Sequence, residues 1–231
     1  MSCTKKDEEV AEMRIEAYPR MEQRIGNPTP LAMGGFATTL LTLSLAMMGF
    51  RGVSVQTIFV GDLCFVACIG LLISAQWEMV KGNTFGYTVL SAFGLFYGGY
   101  GATLIPGFGI IEAYGGLTPE YYNALGFFVL IWAVLNIFFI IASLAFNFVY
   151  ILIFITLELC LSLDAASYFA LADGKQGTSV ALLKAAGVFG FISSLLGYYC
   201  VAHYLCQDVL PFNVLMGDTS SFFRRQRAKR M

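Results

Sequence analysis

Histidine is nearly absent from this chain: one residue, His203, in 231. Tryptophan occurs only twice, and charged side chains make up 13% of the sequence, about half the share of an ordinary soluble domain. Hydrolytic and redox catalysis lack their usual equipment, because there is no nucleotide-binding fingerprint and no nucleophile-base pair at a recognisable spacing. His203 stands near the end of an apolar run and reads as a packed or hydrogen-bonded interfacial residue. The net charge of −1 gives no electrostatic case for a nucleic-acid partner. Six cysteines are present without paired spacing, and Cys64, Cys68, Cys160, Cys200 and Cys206 fall in or beside apolar runs. Cysteine there acts as a small hydrophobe, so neither a disulfide framework nor a metal site is expected, and no cofactor is implied.

What remains is apolar surface. Hydrophobic residues make up 58% of the chain and the mean hydropathy is +0.71, the balance of an all-α, polytopic membrane protein. From Leu31 to Phe50 no side chain ionises, and about 20 such residues suffice to cross a bilayer core. Six spans are expected, at 31–50, 55–77, 85–106, 122–145, 148–171 and 180–206. An even number leaves both termini on one side. Eleven basic residues, in the two tails and at Lys81, fall on that side against Arg51, Lys175 and Lys184 on the other, so both termini are expected in the cytosol.

The organisation that follows is a solvated cytosolic tail over 1–26, a six-helix transmembrane unit over 27–212, and a basic cytosolic tail over 213–231. No secretory signal is visible in the charged first segment, and the first span is expected to direct its own insertion. The basic end, Arg224 to Arg230, suits anionic lipid head groups. Gly94 with Gly98, Ala186 with Gly190 and Ser194, and Ser193 with Gly197 give faces on which helices can approach closely.

Ionisable groups inside spans mark candidate function, since a charge near mid-bilayer is costly. Glu158 and Asp164 qualify. Six residues apart, they sit about 240° around the helix axis and cannot share a narrow face, so at most one points into a pore. Glu158 lies nearer the middle and could be protonated or paired with Asn136. Asp62 and Glu78 bracket the second span, where solvation favours a structural role.

Two polar motifs guard the spans. Asn27-Pro28-Thr29-Pro30-Leu31 stands at the mouth of the first, where proline withdraws backbone donors and Asn27 brings an amide. Gly82-Asn83-Thr84-Phe85-Gly86 opens the third, where Asn83 or Thr84 can cap a helix whose N-terminus suits a small carboxylate.

These motifs, with Gly34-Gly35-Phe36, Trp77-Glu78-Met79, Pro106-Gly107-Phe108-Gly109-Ile110 and Lys184-Ala185-Ala186-Gly187, resemble the acetate uptake transporter family, also called the succinate-acetate permeases. The resemblance covers roughly residues 27 to 212 and departs from the family's Asn-Pro-Ala-Pro-Leu-Gly-Leu signature at Thr29, Ala32 and Met33. The long N-terminal tail, the Trp77-Glu78-Met79 run and Glu158 are more similar to the fungal branch. The resemblance implies six-helix subunits that assemble as hexamers, each with its own pore. It implies a gate of Phe36, Phe93 and Leu157, with Tyr97 as a further aromatic on the path. Phe93 stands where the family commonly has tyrosine, which makes the constriction drier. Thr39, one turn from Phe36, is the candidate hydroxyl donor to a passing carboxylate, and Glu158 beside Leu157 the candidate proton carrier.

The implied activity is transport of acetate and related small monocarboxylates at the plasma membrane. The substrate would enter through vestibules at Asn27, Asn83 and Thr84 and cross the gate with a proton or as the neutral acid, because an unpaired anion is costly to bury. Export of ammonia or passage of a neutral solute also suits an aromatic constriction. A non-transporting membrane sensor using its N-terminal tail is a further alternative.

Overall fold

The computed structural model describes residues 26–207, 211 and 214–223; residues 1–25 of the expected N-terminal tail and the basic cluster Arg224 to Arg230 lie outside the described residues. Helices dominate, and no named strand occurs among the described residues. Five stretches are long and apolar enough to cross a membrane: α1 (Thr29–Met47), a composite helix over Thr57–Val80 whose regular part is α2 (Gly70–Val80), α4 (Pro119–Ser143), α5 (Phe148–Ala172) and α6 (Gln176–Cys206). Between α2 and α4 stands α3 (Thr84–Thr103), long enough to cross but less apolar because it carries five glycines with tyrosines and threonines.

The helix ends follow local chemistry. Pro30 is tolerated inside the first turn of α1, where no intrahelical partner is required of its nitrogen, so α1 begins two residues earlier than hydropathy predicts. Asn83 caps α3, its Oδ1 accepting from Gly86 N at 3.0 Å. Thr118 caps α4 with Pro119 behind it, and Asn147 caps α5 through Tyr150 N at 2.9 Å. The third span ends at Thr103 instead of continuing to 106, because the chain turns extended at Ile105 before Pro106.

Neighbouring helices form a ring in the order α3, α2, α1, α6, α5, α4, with extensive packing at every step except the sparse seam between α3 and α4. Small residues permit the closest approaches. A Cβ on Gly190 or Gly197 of α6 would press on Ser44, or on Ala37 and Phe36, of α1.

Residues Asp62–Ile69 form a π-helix, an eight-residue stretch that is unusually long for this conformation. Its carbonyls turn toward α1: Asp62 O accepts from Thr39 Oγ1 at 3.3 Å, and Val66 O lies 2.8 Å from where a Cβ on Gly35 would stand. Gly35→Ala is expected to cost about 1–3 kcal/mol through this overpacking. Gly34→Ala, whose Cβ would find only Val201 at 3.9 Å, is expected to be nearly neutral. Thermal unfolding of the two variants in detergent checks the contrast.

The segment after α6 returns to the start of α5. Gly217 O and Met216 O accept from Phe148 N at 2.8 Å and Val149 N at 3.3 Å, satisfying two amides that a helix start leaves without intrahelical partners. His203 Nδ1 bonds Val214 O at 2.6 Å, so the single histidine serves to hold this segment.

Candidate functional site

Three helices, α1, α3 and α5, contribute side chains to two cavities. The larger, about 280 Å³, lies where these three helices begin and is lined by Asn27, Thr29 and Met33 of the first, Asn83, Phe85, Gly86 and Val89 of the second, and Asn147, Tyr150 and Phe154 of the third. The smaller, about 40 Å³, lies farther along the same helices among Leu40, Leu43, Phe93, Tyr97, Leu157 and Asp164.

The polar cavity is organised by asparagine. Asn27, Asn83 and Asn147 stand at the N-termini of the three helices, and each uses its Oδ1 to accept a backbone amide, from Thr29 at 3.1 Å, Gly86 at 3.0 Å and Tyr150 at 2.9 Å. Three helix N-termini thus converge on one cavity, which favours an anion there. Lys81 lines the same space, and Tyr150 and Tyr204 share a hydroxyl contact of 3.0 Å beside it.

Glu78 is the hub of this end. Sequence position assigns it to a solvated interface, yet it is 3% exposed and joins two motifs: Thr29 Oγ1 donates to Oε1 at 2.9 Å and Asn83 Nδ2 to Oε2 at 2.7 Å. A Cβ on Gly86 would stand 2.6 Å from Asn83 Nδ2 and 3.1 Å from Glu78 Oε2, so glycine lets the carboxylate and the cap meet. The proline motif and the Asn83 motif are therefore two halves of one assembly, with Glu78 between them.

An apolar floor separates the cavities. Phe93 and Leu157, 4% and 3% exposed, line the smaller cavity on this side; Phe36, 5% exposed, stands in sequence between Met33 of one cavity and Leu40 of the other, but lines neither and packs beside Gly197 of α6. Two rings absent from the expected set join them: Phe154 has centroids 6.5 Å from Phe93 and 6.1 Å from Phe139, and Phe139 lies 5.7 Å from Phe93. Phe85 adds an edge-to-face contact, 6.0 Å from Phe154.

Several expected pathway residues face elsewhere. Glu158 lines neither cavity: Asn136 Nδ2 donates to its Oε2 at 2.9 Å and Ser162 Oγ to its Oε1 at 3.2 Å, which ties the carboxylate to α4. One residue past Leu157 is a turn of about 100°, enough to move from the cavity to the helix interface. Of the two states the sequence allows for Glu158, the structure shows the pairing with Asn136, and the cavity-facing acid is Asp164. Thr39 is fully buried with its hydroxyl on Asp62 O, and Thr84 is exposed in the first turn of α3; neither lines a cavity.

Comparison with known proteins adds the family. The model of the GPR1/FUN34/yaaH family matches residues 10–216. The chain belongs to this family. Within it, the chain is similar to the acetate transporter protein patA of Aspergillus clavatus, 46% identical over 206 residues that span 89% of this chain and 83% of that protein. It is also similar to ammonia transport outward protein 2 of Saccharomyces cerevisiae, 31% identical over 78% of this chain and 62% of that protein. Among solved structures it is similar to the bacterial acetate channel SatP, with a TM-score of 0.66 and 26% identity, covering 82% of this chain and all of that one. The family is the one its motifs resemble, and the SatP fold agrees with an all-helical membrane protein built from several spans.

Proposed function

We propose that this protein carries acetate and related small monocarboxylates across the plasma membrane, together with a proton or as the neutral acid. The observation that carries this reading is the pair of cavities along the same three helices, with buried Phe154 on the wall of the larger and Phe93 and Leu157 on the wall of the smaller. A carboxylate is attracted to the end lined by three helix N-termini and Lys81, and must lose its charge or its water to pass the apolar floor. Phe36, Phe93 and Leu157 act as the gate in this scheme, with Asn27 and Asn83 at the vestibule and Tyr97 beyond. All six helices cross the bilayer, both termini face the cytosol, and subunits assemble as a homo-hexamer with one pathway each. The similarity to patA and to SatP supports the substrate class.

The test is radiolabelled acetate uptake into proteoliposomes at acidic and neutral external pH. Native protein is expected to show saturable uptake that is faster at acid pH, and Phe36→Ala to raise the flux and weaken its pH dependence. No uptake above empty vesicles would remove the proposal. Ammonia passage is the second reading, favoured by the dry constriction and by the yeast relative. Labelled methylammonium flux in the same vesicles separates the two.

A further inference from the structure

Beyond the floor, the smaller cavity holds one ionisable acid in an almost wholly apolar setting. Asp164 lines it with Leu40, Leu43, Met47 and Leu161, and its Oδ1 is buried without a hydrogen-bond partner among the described residues. An unpaired buried carboxyl oxygen is costly and is not retained for packing. At about 40 Å³ the cavity has room for about one water molecule.

The surrounding titratable groups are all weak acids. Facing the cavity are Tyr97 and Tyr100 from α3 and Cys160 from α5 itself, while α1 contributes only apolar side chains. Tyr168, one turn along α5, also lies within electrostatic reach of Asp164, and Tyr121 of α4 lies within reach of both Tyr100 and Tyr168. On α6, which packs against α5, the titratable groups are Lys184, which is exposed, two cysteines, three tyrosines and His203, and none of them lines the cavity. No cation is therefore present to fix the charge of Asp164 within the cavity.

A hydroxyl chain leads outward from it. Tyr100 OH donates to Gln56 Oε1 at 2.7 Å and contacts Tyr168 OH at 3.1 Å. Gln56 follows the exposed stretch 51–55 that connects α1 to the π-helix.

We infer that Asp164 is the coupling carboxylate of the pathway, the group that hands the proton to the substrate beside the apolar floor. This rests on the transport reading above. The ionised carboxylate of Asp164 takes a proton delivered from the acidic side by water entering the cavity beside the Gln56, Tyr100 and Tyr168 side chains, and becomes the acid. It then transfers that proton to a carboxylate oxygen of the substrate, which crosses the floor uncharged, and the ionised form of Asp164 is restored. A small ammonium ion is the less suitable guest, because the cavity supplies one carboxylate and no ring of carbonyl oxygens to replace a hydration shell.

The experiment compares native protein, Asp164→Asn and Asp164→Glu in proteoliposomes under two regimes. With acid outside, native protein is expected to accumulate labelled acetate, and Asp164→Asn to lose at least nine-tenths of the acid-stimulated component. Exchange of labelled for unlabelled acetate at equal pH is expected to fall in Asp164→Asn as well, since an amide has no proton to give the substrate. Asp164→Glu is expected to recover coupling with an altered pH profile. If Asp164→Asn fails to fold, Tyr100→Phe with Tyr168→Phe breaks the hydroxyl chain without changing charge and is expected to slow acid-driven uptake while sparing exchange. An unaltered pH response in these variants overturns the coupling role alone. Absence of acetate flux in native protein overturns the transport reading and this role with it.

Discussion

Replacing Glu78 with alanine is expected to abolish acetate uptake and lower stability together, more severely than any change at an exposed position. The carboxylate is buried and accepts from Thr29 Oγ1 and Asn83 Nδ2, and its removal leaves both half-buried donors without that partner. Each stranded donor costs about 1–3 kcal/mol. The same two bonds fix the start of α1 against the cap of α3, so both walls of the polar cavity lose their register. Misplacement on the scale of an ångström is expected to reduce uptake by roughly a hundredfold. Glu78→Gln is expected to recover much of the lost stability, because its NH2 group can donate to Thr29 Oγ1 while its amide oxygen still accepts from Asn83 Nδ2. Thermal unfolding in detergent, paired with acetate uptake, reads both effects. Native-like values for Glu78→Ala would show that the two motifs are held in place by packing alone.

Phe154→Ala is the second large change. Its ring touches Phe85, Phe93 and Phe139 at the level where the cavities are divided, and it is buried. Truncating such a ring costs about 3–5 kcal/mol where the site cannot collapse. Here the void also joins the two cavities into one wet path, so the anion no longer has to shed its water. Acetate flux is expected to become insensitive to dissipation of the proton gradient, and larger monocarboxylates to enter. Phe139→Ala, one ring farther from the axis, is expected to lower stability without this loss of coupling. Flux measured with and without a protonophore distinguishes the two variants.

Much of the architecture was legible because membrane spans announce themselves as apolar runs, and the expected positions of α1, α5 and α6 differ from the observed ones by a few residues. Of the three apolar residues read from the sequence as a gate, Phe93 and Leu157 line the smaller cavity, whereas Phe36 is buried beside Gly197 of α6 and lines neither cavity. The facing of polar groups was harder to read, because it depends on helical phase. Glu158 and Leu157 are neighbours in sequence but point to different partners, and Asp164, two turns on, returns to the cavity side. Glu78 ends a hydrophobic run and so reads as a solvated interfacial group with a structural role, yet the return of the chain through Asn83 buries it. Asn147 escaped notice for want of a motif. Its signal was a lone asparagine between two apolar spans, the pattern of a helix cap. The unusually long π-helix at 62–69 leaves no mark in the sequence that hydropathy would detect.

The three helices that wall the path all begin at the polar cavity, and this has a consequence for electrical behaviour. Their peptide dipoles point the same way, so an anion leaving the asparagine end moves down three aligned fields toward partial negative charge, whereas an uncharged molecule feels none of them. The walls therefore act as a built-in bias, and any current carried by bare anions should rectify, differing in size when the voltage is reversed, while movement of the neutral acid should be indifferent to voltage.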